Sequence, residues 1–316
     1  MNRGSQPERH RYSLFGLQVD CDFPLPELFE GSPESAADVT IESGPVPLDG
    51  VFEPGDHAVP GGSLLVIEDA GRYFVQSGSR ILIERAEGAS ERNVRLFLLG
   101  SAFGLLIHQR HLLPLHANAV EIDGRIVAFM GESGVGKSTL AAWFADKGYA
   151  LIADDVAVVD FESDVPMIRP GLPRLRLWER VIEATGRNPS DFALSFEGDP
   201  TYDKRDVLLP SDMVASDRRP LGAIVLLSRS GPSFEPVRGA AAAEAVVSNT
   251  YRGAYVRTVK SVREHWAMCT KLVQEVPVYR ACVDFDLSDL EGSYEPLLKA
   301  VRELLASERG DAGDSA

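Results

Sequence analysis

The chain has little positive charge for its size, and this limits what it can bind. Among its 316 residues, 32 lysines and arginines stand against 47 aspartates and glutamates, so the formal net charge is −15 at pH 7. General nucleic-acid binding depends on a basic surface that neutralises phosphate groups. The composition therefore predicts no nucleic-acid partner, although it leaves room for local basic patches.

Cysteine is also scarce. The three cysteines, Cys21, Cys269 and Cys282, lie far apart and lack C-x-x-C spacing. A disulfide framework or a cysteine-rich zinc site would need more cysteines at closer spacing. We therefore expect buried or unreactive thiols in a reducing cytoplasm.

Long apolar runs are missing as well. The most apolar stretch, residues 96–107, is interrupted by two glycines and a serine. It is shorter than the run of about 20 residues that a membrane-spanning helix needs. The first 15 residues lack the apolar core of a secretory signal. The sequence therefore predicts a cytoplasmic protein without a membrane partner, and a buried helix over residues 93–110.

Turn signals divide the chain into regions of different character. Residues 1–92 contain short, partly alternating apolar runs separated by glycine-containing turns, which predicts a β-rich N-terminal region. Our hypothesis is that this region recognises the substrate. Residues 93–307 mix strand and helix patterns and form the predicted catalytic domain. The small, polar and acidic segment 308–316 predicts a disordered tail.

A strand, loop, helix and strand follow one another in the first part of the predicted catalytic domain. The apolar runs "HANAVEI" and "RIVAFM" flank Asp123 and Gly124, a dipeptide typical of a type I′ hairpin. The second strand enters a glycine-rich loop. The segment "KSTLAAWFADKG" then predicts a helix that stops at Gly148, and "YALIADD" predicts the next strand.

The glycine-rich loop has the complete phosphate-binding pattern G-x-x-x-x-G-K-[ST]. Glycines let successive backbone N–H groups point into one concavity, and the following helix adds its positive end. The pattern predicts binding of a nucleotide, ATP or another phosphate donor, together with Mg²⁺ on the serine hydroxyl. The predicted nucleotide-binding residues are Gly131, Ser133, Gly134, Val135, Gly136, Lys137, Ser138 and Thr139.

Two adjacent carboxylates, Asp154 and Asp155, end the strand after this helix. One can hold metal while the other takes a proton from an acceptor hydroxyl; a solvated acidic turn is the alternative interpretation. His116 begins the strand that pairs with the loop strand, so the hairpin returns it toward the loop. His108 and His111 have no such placement, and we interpret them as surface or packing residues.

Together these residues resemble the C-terminal catalytic domain of the bacterial HPr kinase/phosphorylase family. An upstream histidine, the run "GESGVGKST" and the strand end "LIADD" have the spacing of that family over about residues 114–160. The resemblance implies an α/β fold with a P-loop kinase core of the HPr kinase and phosphoenolpyruvate-carboxykinase-like type. Its sheet would be mixed, and a smaller β-rich region precedes it here.

The resemblance also implies roles for individual residues. Asp154 would be the general base for an acceptor serine, and His116 would assist or orient it. Asp155 and Ser138 would be associated with the metal ion. Lys137 would bind the β- and γ-phosphates of the nucleotide.

The chain departs from the family in two places. The later signature "E-[IV]-R-G-x-G", which supports phosphorolysis, is absent, and the N-terminal region does not resemble the usual one. The phrases "LPLHANAVEIDG" and "PGLPRLRLW" are similar to a subgroup encoded with ribosomal peptide tailoring systems. Some of its members resemble kinases that phosphorylate the C-terminal serine of a lasso-peptide precursor. Family relatives are often oligomeric, so a homo-oligomer is compatible with the resemblance.

Clusters of basic residues outside the loop are candidates for substrate contacts, because arginine can grip phosphate or carboxylate groups through two hydrogen bonds. Solvated surface is the alternative interpretation for each of them. The candidates are Arg174 and Arg176 in "RPGLPRLRLW", Lys204 in "YDKRD" and Arg257 in "YRGAYVRTVKSVR".

Three functions fit these patterns. An ATP-dependent, Mg²⁺-dependent serine kinase acting on a peptide or small protein uses every motif described above. A nucleotide-gated switch would leave the paired aspartates without a role, and the chain lacks the N-K-x-D motif of guanine-specific switches. A small-molecule kinase is compatible with the phosphate-binding loop alone.

Overall fold

Three sheets organise the protein in the computed structural model, which describes residues 8–231 and 233–313. An eight-stranded sheet comes from the N-terminal region, a nine-stranded sheet forms the centre of the rest, and a three-stranded sheet lies beside it. Helices and strands are both substantial, so the predicted α/β class is confirmed.

The N-terminal sheet has the strand order β3-β1-β2-β4-β8-β7-β6-β5. Strand β4 pairs in parallel with both of its neighbours, and the remaining pairs are antiparallel. The predicted β-rich character of this region is therefore observed. The strands are β1 (His10–Leu14), β2 (Leu17–Cys21), β3 (Phe29–Glu30), β4 (Val39–Ser43), β5 (Gly55–Val59), β6 (Gly62–Ile67), β7 (Gly71–Gln76) and β8 (Arg80–Arg85).

A long helical segment covers one face of this sheet. It consists of α1 (Glu91–Phe97), a π-helical stretch (Leu98–Ala102) and α2 (Phe103–Gln109), in agreement with the predicted buried helix. The side chain of Ser90 caps its first turn. Its apolar residues share one hydrophobic core with the N-terminal sheet. The boundary that we predicted at residue 92 therefore runs through a shared core, and the division into domains stays a prediction.

The central sheet is mixed and has the order β12-β10-β11-β18-β14-β13-β9, with β20 and β19 added next to β18. The small sheet has the order β15-β17-β16. The strands are β9 (Leu113–Leu115), β10 (Ala117–Ile122), β11 (Arg125–Met130), β12 (Leu151–Ala153), β13 (Ala157–Asp160), β14 (Met167–Arg169), β15 (Arg174–Trp178), β16 (Ala193–Leu194), β17 (Lys204–Leu208), β18 (Arg219–Ser228), β19 (Phe234–Val237) and β20 (Val278–Cys282).

The hairpin of β10 and β11 brings its two ends to the phosphate-binding loop. Asp123 and Gly124 both have positive φ, 50° and 81°, as a type I′ turn requires. Ala117 pairs with Met130, so His116 lies level with the start of the loop, as predicted. On its other side β11 pairs in parallel with β18, which makes the sheet mixed.

Helices cover both faces of the central sheet. On one face α3 (Lys137–Asp146) and α8 (Leu290–Gly313) pack on the sheet, and on the other face α5 (Gly239–Ser248) and α7 (Val262–Glu275) do so. The short helices α4 (Glu179–Ala184) and α6 (Tyr255–Thr258) complete the described α-helices, and two 3₁₀ helices cover Pro189–Asp191 and Ser211–Met213. None of the helices in these residues is long and apolar enough to cross a membrane.

The last helix is longer than the sequence predicts. Asp289 accepts a hydrogen bond from the backbone N–H of Gly292 at 2.8 Å, so α8 begins at Leu290 with a capped first turn. The helix runs through Gly313 and therefore continues into the segment predicted as a disordered tail. Residues 314–316 of that segment lie outside the described residues.

His108 is a packing residue of α2, whereas His111 is exposed. The His108 ring is 3% exposed, and its Nε2 lies 3.0 Å from the backbone oxygen of Tyr251. Burial lowers the pKa of His108 to about 4, and only the hydrogen bond with Tyr251 opposes this effect. The buried ring is therefore neutral near pH 7.

We predict that this buried ring weakens the protein as the pH falls. Between pH 6.5 and about 4 the unfolded His108 binds a proton that the folded ring does not, so stability decreases as the pH decreases through this window. Between pH 6.5 and about 4, the unfolding free energy of the wild type should fall on the order of 3 kcal/mol further than that of His108→Gln. Denaturant titrations at several pH values measure this difference; equal losses in the two proteins would contradict the prediction.

Candidate nucleotide and phosphoryl-transfer site

The loop between β11 and α3 has the backbone of a phosphate cradle. Gly131, Gly134 and Gly136 have φ angles of 144°, 83° and 104°, which side-chain-bearing residues rarely adopt. A Cβ atom on Gly131 would lie 2.6 Å from the backbone oxygen of Leu227. The backbone shape of the loop therefore requires glycine at these positions.

Polar contacts hold this loop in place. The Lys137 ammonium donates to the backbone oxygens of Gly131 and Glu132, at 2.6 and 3.2 Å, so it lies inside the loop. Burial lowers the pKa of Lys137, and the nearby Asp154 and Asp155 oppose this shift. The positive end of α3 and the lysine together form a site that fits phosphate oxygens.

Asp154 is a buried carboxylic acid at the end of β12. Its Oδ2 accepts the backbone N–H of Arg176 at 3.0 Å, whereas its Oδ1 is buried without a hydrogen-bond partner among the described residues. Burial, reinforced by the adjacent carboxylate of Asp155, raises the pKa of Asp154 to about 6. The group is therefore poised to exchange a proton near neutral pH.

Asp155 has the opposite environment. Its φ of 68° turns the chain after β12, so both carboxylates face the same region although neighbouring strand residues point apart. Burial favours a higher pKa, but His116 Nδ1 at 3.3 Å and Arg176 Nη1 at 3.7 Å outweigh it and lower the pKa of Asp155. Asp155 is therefore ionised, and His116 is adjacent as predicted.

A second unpartnered oxygen lies next to Asp154. Strands β10 and β12 pair with Ala119 opposite Ala153, so Asn118 is the neighbour of Asp154 across the ladder. The Asn118 amide nitrogen donates to the backbone oxygen of Lys137, and its Oδ1 has no partner among the described residues. These two buried acceptor oxygens line the same cavity as Ser138, and a hydrated Mg²⁺ or the hydroxyl of an acceptor would satisfy them.

Asp206 holds two arginines of the neighbouring small sheet. Its Oδ2 accepts Arg174 Nη1 at 2.8 Å, and its Oδ1 lies 3.4 Å from Arg176 Nε. The hydroxyl of Ser195 donates to the same Oδ1 at 2.7 Å. Arg176 in turn contacts both aspartates of the pair, so Asp206 indirectly positions Asp154 and Asp155.

A two-lobed cleft surrounds the loop. The larger lobe, of about 920 Å³, extends toward Asn249 and Tyr251. The smaller lobe, of about 300 Å³, extends toward Asn118 and Asp154. Both lobes share residues at their junction. These are His116, Ser133, Gly134, Ser138, Asp155 and Lys204.

The structure brings together most of the residues predicted for the site, with two exceptions among the basic candidates. Arg176 and Lys204 line the cleft. Arg174 is 4% exposed and faces Asp206 rather than either lobe. Arg257 is exposed on α6 and lines neither lobe. A substrate contact by either residue stays a prediction, because the structure shows only that neither lines the two lobes.

Sequence reasoning missed four residues of this site. Asn249 accepts the backbone N–H of Gly131 at 3.0 Å, and Tyr251 stacks on His116 with ring centroids 6.3 Å apart. These residues follow α5, far along the chain, and no local pattern indicates them. Asn118 had a detectable signal, since it is a polar residue two positions after His116 on an apolar strand. Asp206 had none.

Comparisons with known proteins extend these observations. A curated protein described as HPr kinase/phosphorylase, from Chlorobium phaeovibrioides (strain DSM 265 / 1930), is 26% identical over 99 residues. The match covers 31% of this chain and 29% of that protein, so the chain spans less than a third of the length of this curated relative. No protein-family model matches the chain.

A solved structure, the Hpr(Ser) kinase/phosphatase from Coxiella burnetii, aligns with 64% of this chain and 95% of its own, at a TM-score of 0.36 and 14% identity. The resemblance to HPr kinase/phosphorylase predicted from the motifs is confirmed by the curated relative over these 99 residues. The likeness to lasso-peptide kinases stays a prediction.

We predict that Asp206→Asn destabilises the protein strongly. The side chains of Arg174 and Asp206 are only 5% and 8% exposed, and removing the carboxylate charge leaves a buried guanidinium uncompensated. The expected loss is about 3 kcal/mol of unfolding free energy. Glu42→Gln is the matched control, because its partner Arg80 is 47% exposed and such pairs contribute less than about 1 kcal/mol. Denaturant titration compares them, and similar losses in both variants would refute the role of Asp206.

Proposed function

We propose that this protein is a kinase that transfers the γ-phosphoryl group of ATP to a serine hydroxyl of a peptide or small protein. Phosphoryl transfer needs a phosphate cradle, a site for Mg²⁺, a positioned acceptor and a group that takes the acceptor proton. The described residues offer a candidate for each requirement within one cleft.

The observation that supports this proposal most directly is the buried, unpartnered Oδ1 of Asp154. A buried acceptor without a donor is costly, and a substrate hydroxyl in the smaller lobe would supply one. With its pKa raised to about 6, Asp154 is ionised at neutral pH yet basic enough to accept that proton. A nucleotide switch would need no such group.

The remaining residues have supporting roles in this mechanism. The acceptor proton passes to Asp154 as the acceptor oxygen bonds to the γ-phosphorus and the bond to the bridging oxygen of ADP breaks. His116 holds Asp155 in its ionised, turned position. Ser138, Asp155 and Asn118 would hold Mg²⁺, which neutralises charge on the phosphates. Lys137 and the loop N–H groups orient the nucleotide.

The nature of the acceptor is inferred from two sources. The curated relative is named for its action on HPr, and we extend to this chain only a polypeptide acceptor. The motif resemblance to lasso-peptide kinases narrows the proposed acceptor to the C-terminal serine of a precursor peptide. The N-terminal sheet, whose core continues into the helix beside the cleft, is the proposed recognition region.

The proposal predicts that Asp154→Asn strongly slows transfer while nucleotide binding persists. Protein, ATP, Mg²⁺ and serine-containing peptides, including precursor peptides, are incubated and the peptide mass is measured. The wild type should add one phosphate, and Asp154→Asn should be slower by roughly 10²- to 10⁴-fold, the usual contribution of a general base.

Asp164→Asn is the matched control, because Asp164 is an exposed aspartate between β13 and β14 that lines neither lobe of the cleft. It should transfer phosphate at the wild-type rate. A different outcome is that the wild type binds ATP, modifies no peptide and consumes ATP only with a small metabolite. That result would contradict the peptide kinase and identify a small-molecule kinase instead. Unchanged transfer by Asp154→Asn would refute its role as the base.

A further inference from the structure

Lys204 is a half-buried lysine at the junction of the two lobes. It begins β17 and pairs in register with Trp178 at the end of β15. Its ammonium lies over the Trp178 indole, 5.0 Å from the ring centroid. The face of the aromatic ring thus holds the charged end of the lysine at the cleft wall, where Lys204 lines both lobes.

The junction is where a phosphoryl group would pass between two bound molecules. Of the six residues that line both lobes, Ser133, Gly134 and Ser138 belong to the loop, and His116 and Asp155 form a hydrogen-bonded pair. Lys204 is the remaining member. It lies outside the loop motif and brings an ammonium group to the junction.

The charge of Lys204 is not neutralised by an ion pair. Among the described residues no carboxylate lies within ion-pair distance of its ammonium, whereas Arg176, on the adjacent strand, contacts both Asp155 and Asp206. Burial lowers the pKa of Lys204, and the more distant charges of Asp155 and Asp154 oppose this. The Trp178 ring offsets part of the cost of this partly desolvated cation, and an anionic ligand would supply the ion-pair partner that it lacks.

We propose that Lys204 binds the terminal phosphate of ATP and neutralises the transferring phosphoryl group, as a second phosphate-binding lysine opposite Lys137. This inference rests on the proposed function. During transfer Lys204 keeps its proton: the acceptor proton goes to Asp154, and Lys204 follows the phosphoryl oxygens from donor to acceptor. Lys137 approaches the phosphates from inside the loop, and Lys204 approaches from the small sheet.

The inference predicts a specific effect on nucleotide affinity that does not depend on finding the acceptor. Calorimetry compares ADP with the β,γ-imido analogue of ATP, both with Mg²⁺, on the wild type, Lys204→Met and Lys204→Arg. Lys204→Met should weaken binding of the ATP analogue about tenfold, which is the value of one charge-assisted hydrogen bond, and leave ADP binding within about twofold. Lys204→Arg should restore most of the loss.

Lys299→Met is the matched control, because Lys299 is an exposed lysine of α8 and should change neither affinity. Thermal melting shows whether Lys204→Met is folded; if it is not, Lys204→Gln, which keeps a polar tip over Trp178, replaces it. Equal weakening of both nucleotides, or no change in either, would overturn the inference and leave the kinase proposal intact. If the wild type binds neither nucleotide, both the kinase proposal and the role of Lys204 are overturned.

Discussion

Two adjacent carboxylates can occupy one buried strand end only if their charge is compensated, and Arg176 provides this compensation. Its backbone N–H binds Asp154 and its guanidinium contacts Asp155. The guanidinium is fixed by Asp206 in turn, and Asp206 also holds Arg174. This network of alternating charges connects the small sheet to the central sheet. Without this network, repulsion between the aspartates and the desolvation of Asp154 would destabilise the folded arrangement of the site.

The rest of the fold brings the loop to this network. The tight turn at Asp123 and Gly124 returns β10 alongside β11, so that one strand ends at His116 and the other enters the loop. On the far side Asn249 holds the first N–H of the loop, and its own position depends on α5 packing against the sheet. The site is therefore assembled from distant segments, each attached to a strand of one buried sheet.

Local patterns in the sequence were enough to predict the hairpin, the loop, the helix after it and the carboxylate pair. Each depends on a short stretch: a dipeptide with left-handed preferences, a run of glycines before a lysine, or polar residues that end an apolar strand. The outcome for Arg174, Arg176 and Arg257 shows the limit of such patterns. All three belong to basic segments, but only Arg176 lines the cleft, because Arg174 is paired with Asp206 and Arg257 lies on the exposed side of α6.

The extent of the N-terminal region was harder to predict for a related reason. Alternating apolar runs predicted its strands. The pattern of residues 91–109, however, does not indicate which sheet the helix packs against. The helix packs on the N-terminal sheet, while Gly104 brings its backbone close to Tyr251 of the cleft. A glycine at this point allows the aromatic ring that stacks on His116 to approach the helix. The helix of residues 91–109 therefore contacts both the N-terminal sheet and a residue of the cleft.

The two aspartates differ in environment, and this difference supports separate roles for them. Burial and a like-charged neighbour raise the pKa of Asp154, whereas a histidine and an arginine lower that of Asp155. A carboxylate that stays ionised suits a metal ion or a fixed charge, and one that titrates near neutral pH suits proton transfer. Adjacent residues of one type thus become chemically distinct because the turn after β12 sends one toward the buried wall and the other toward His116.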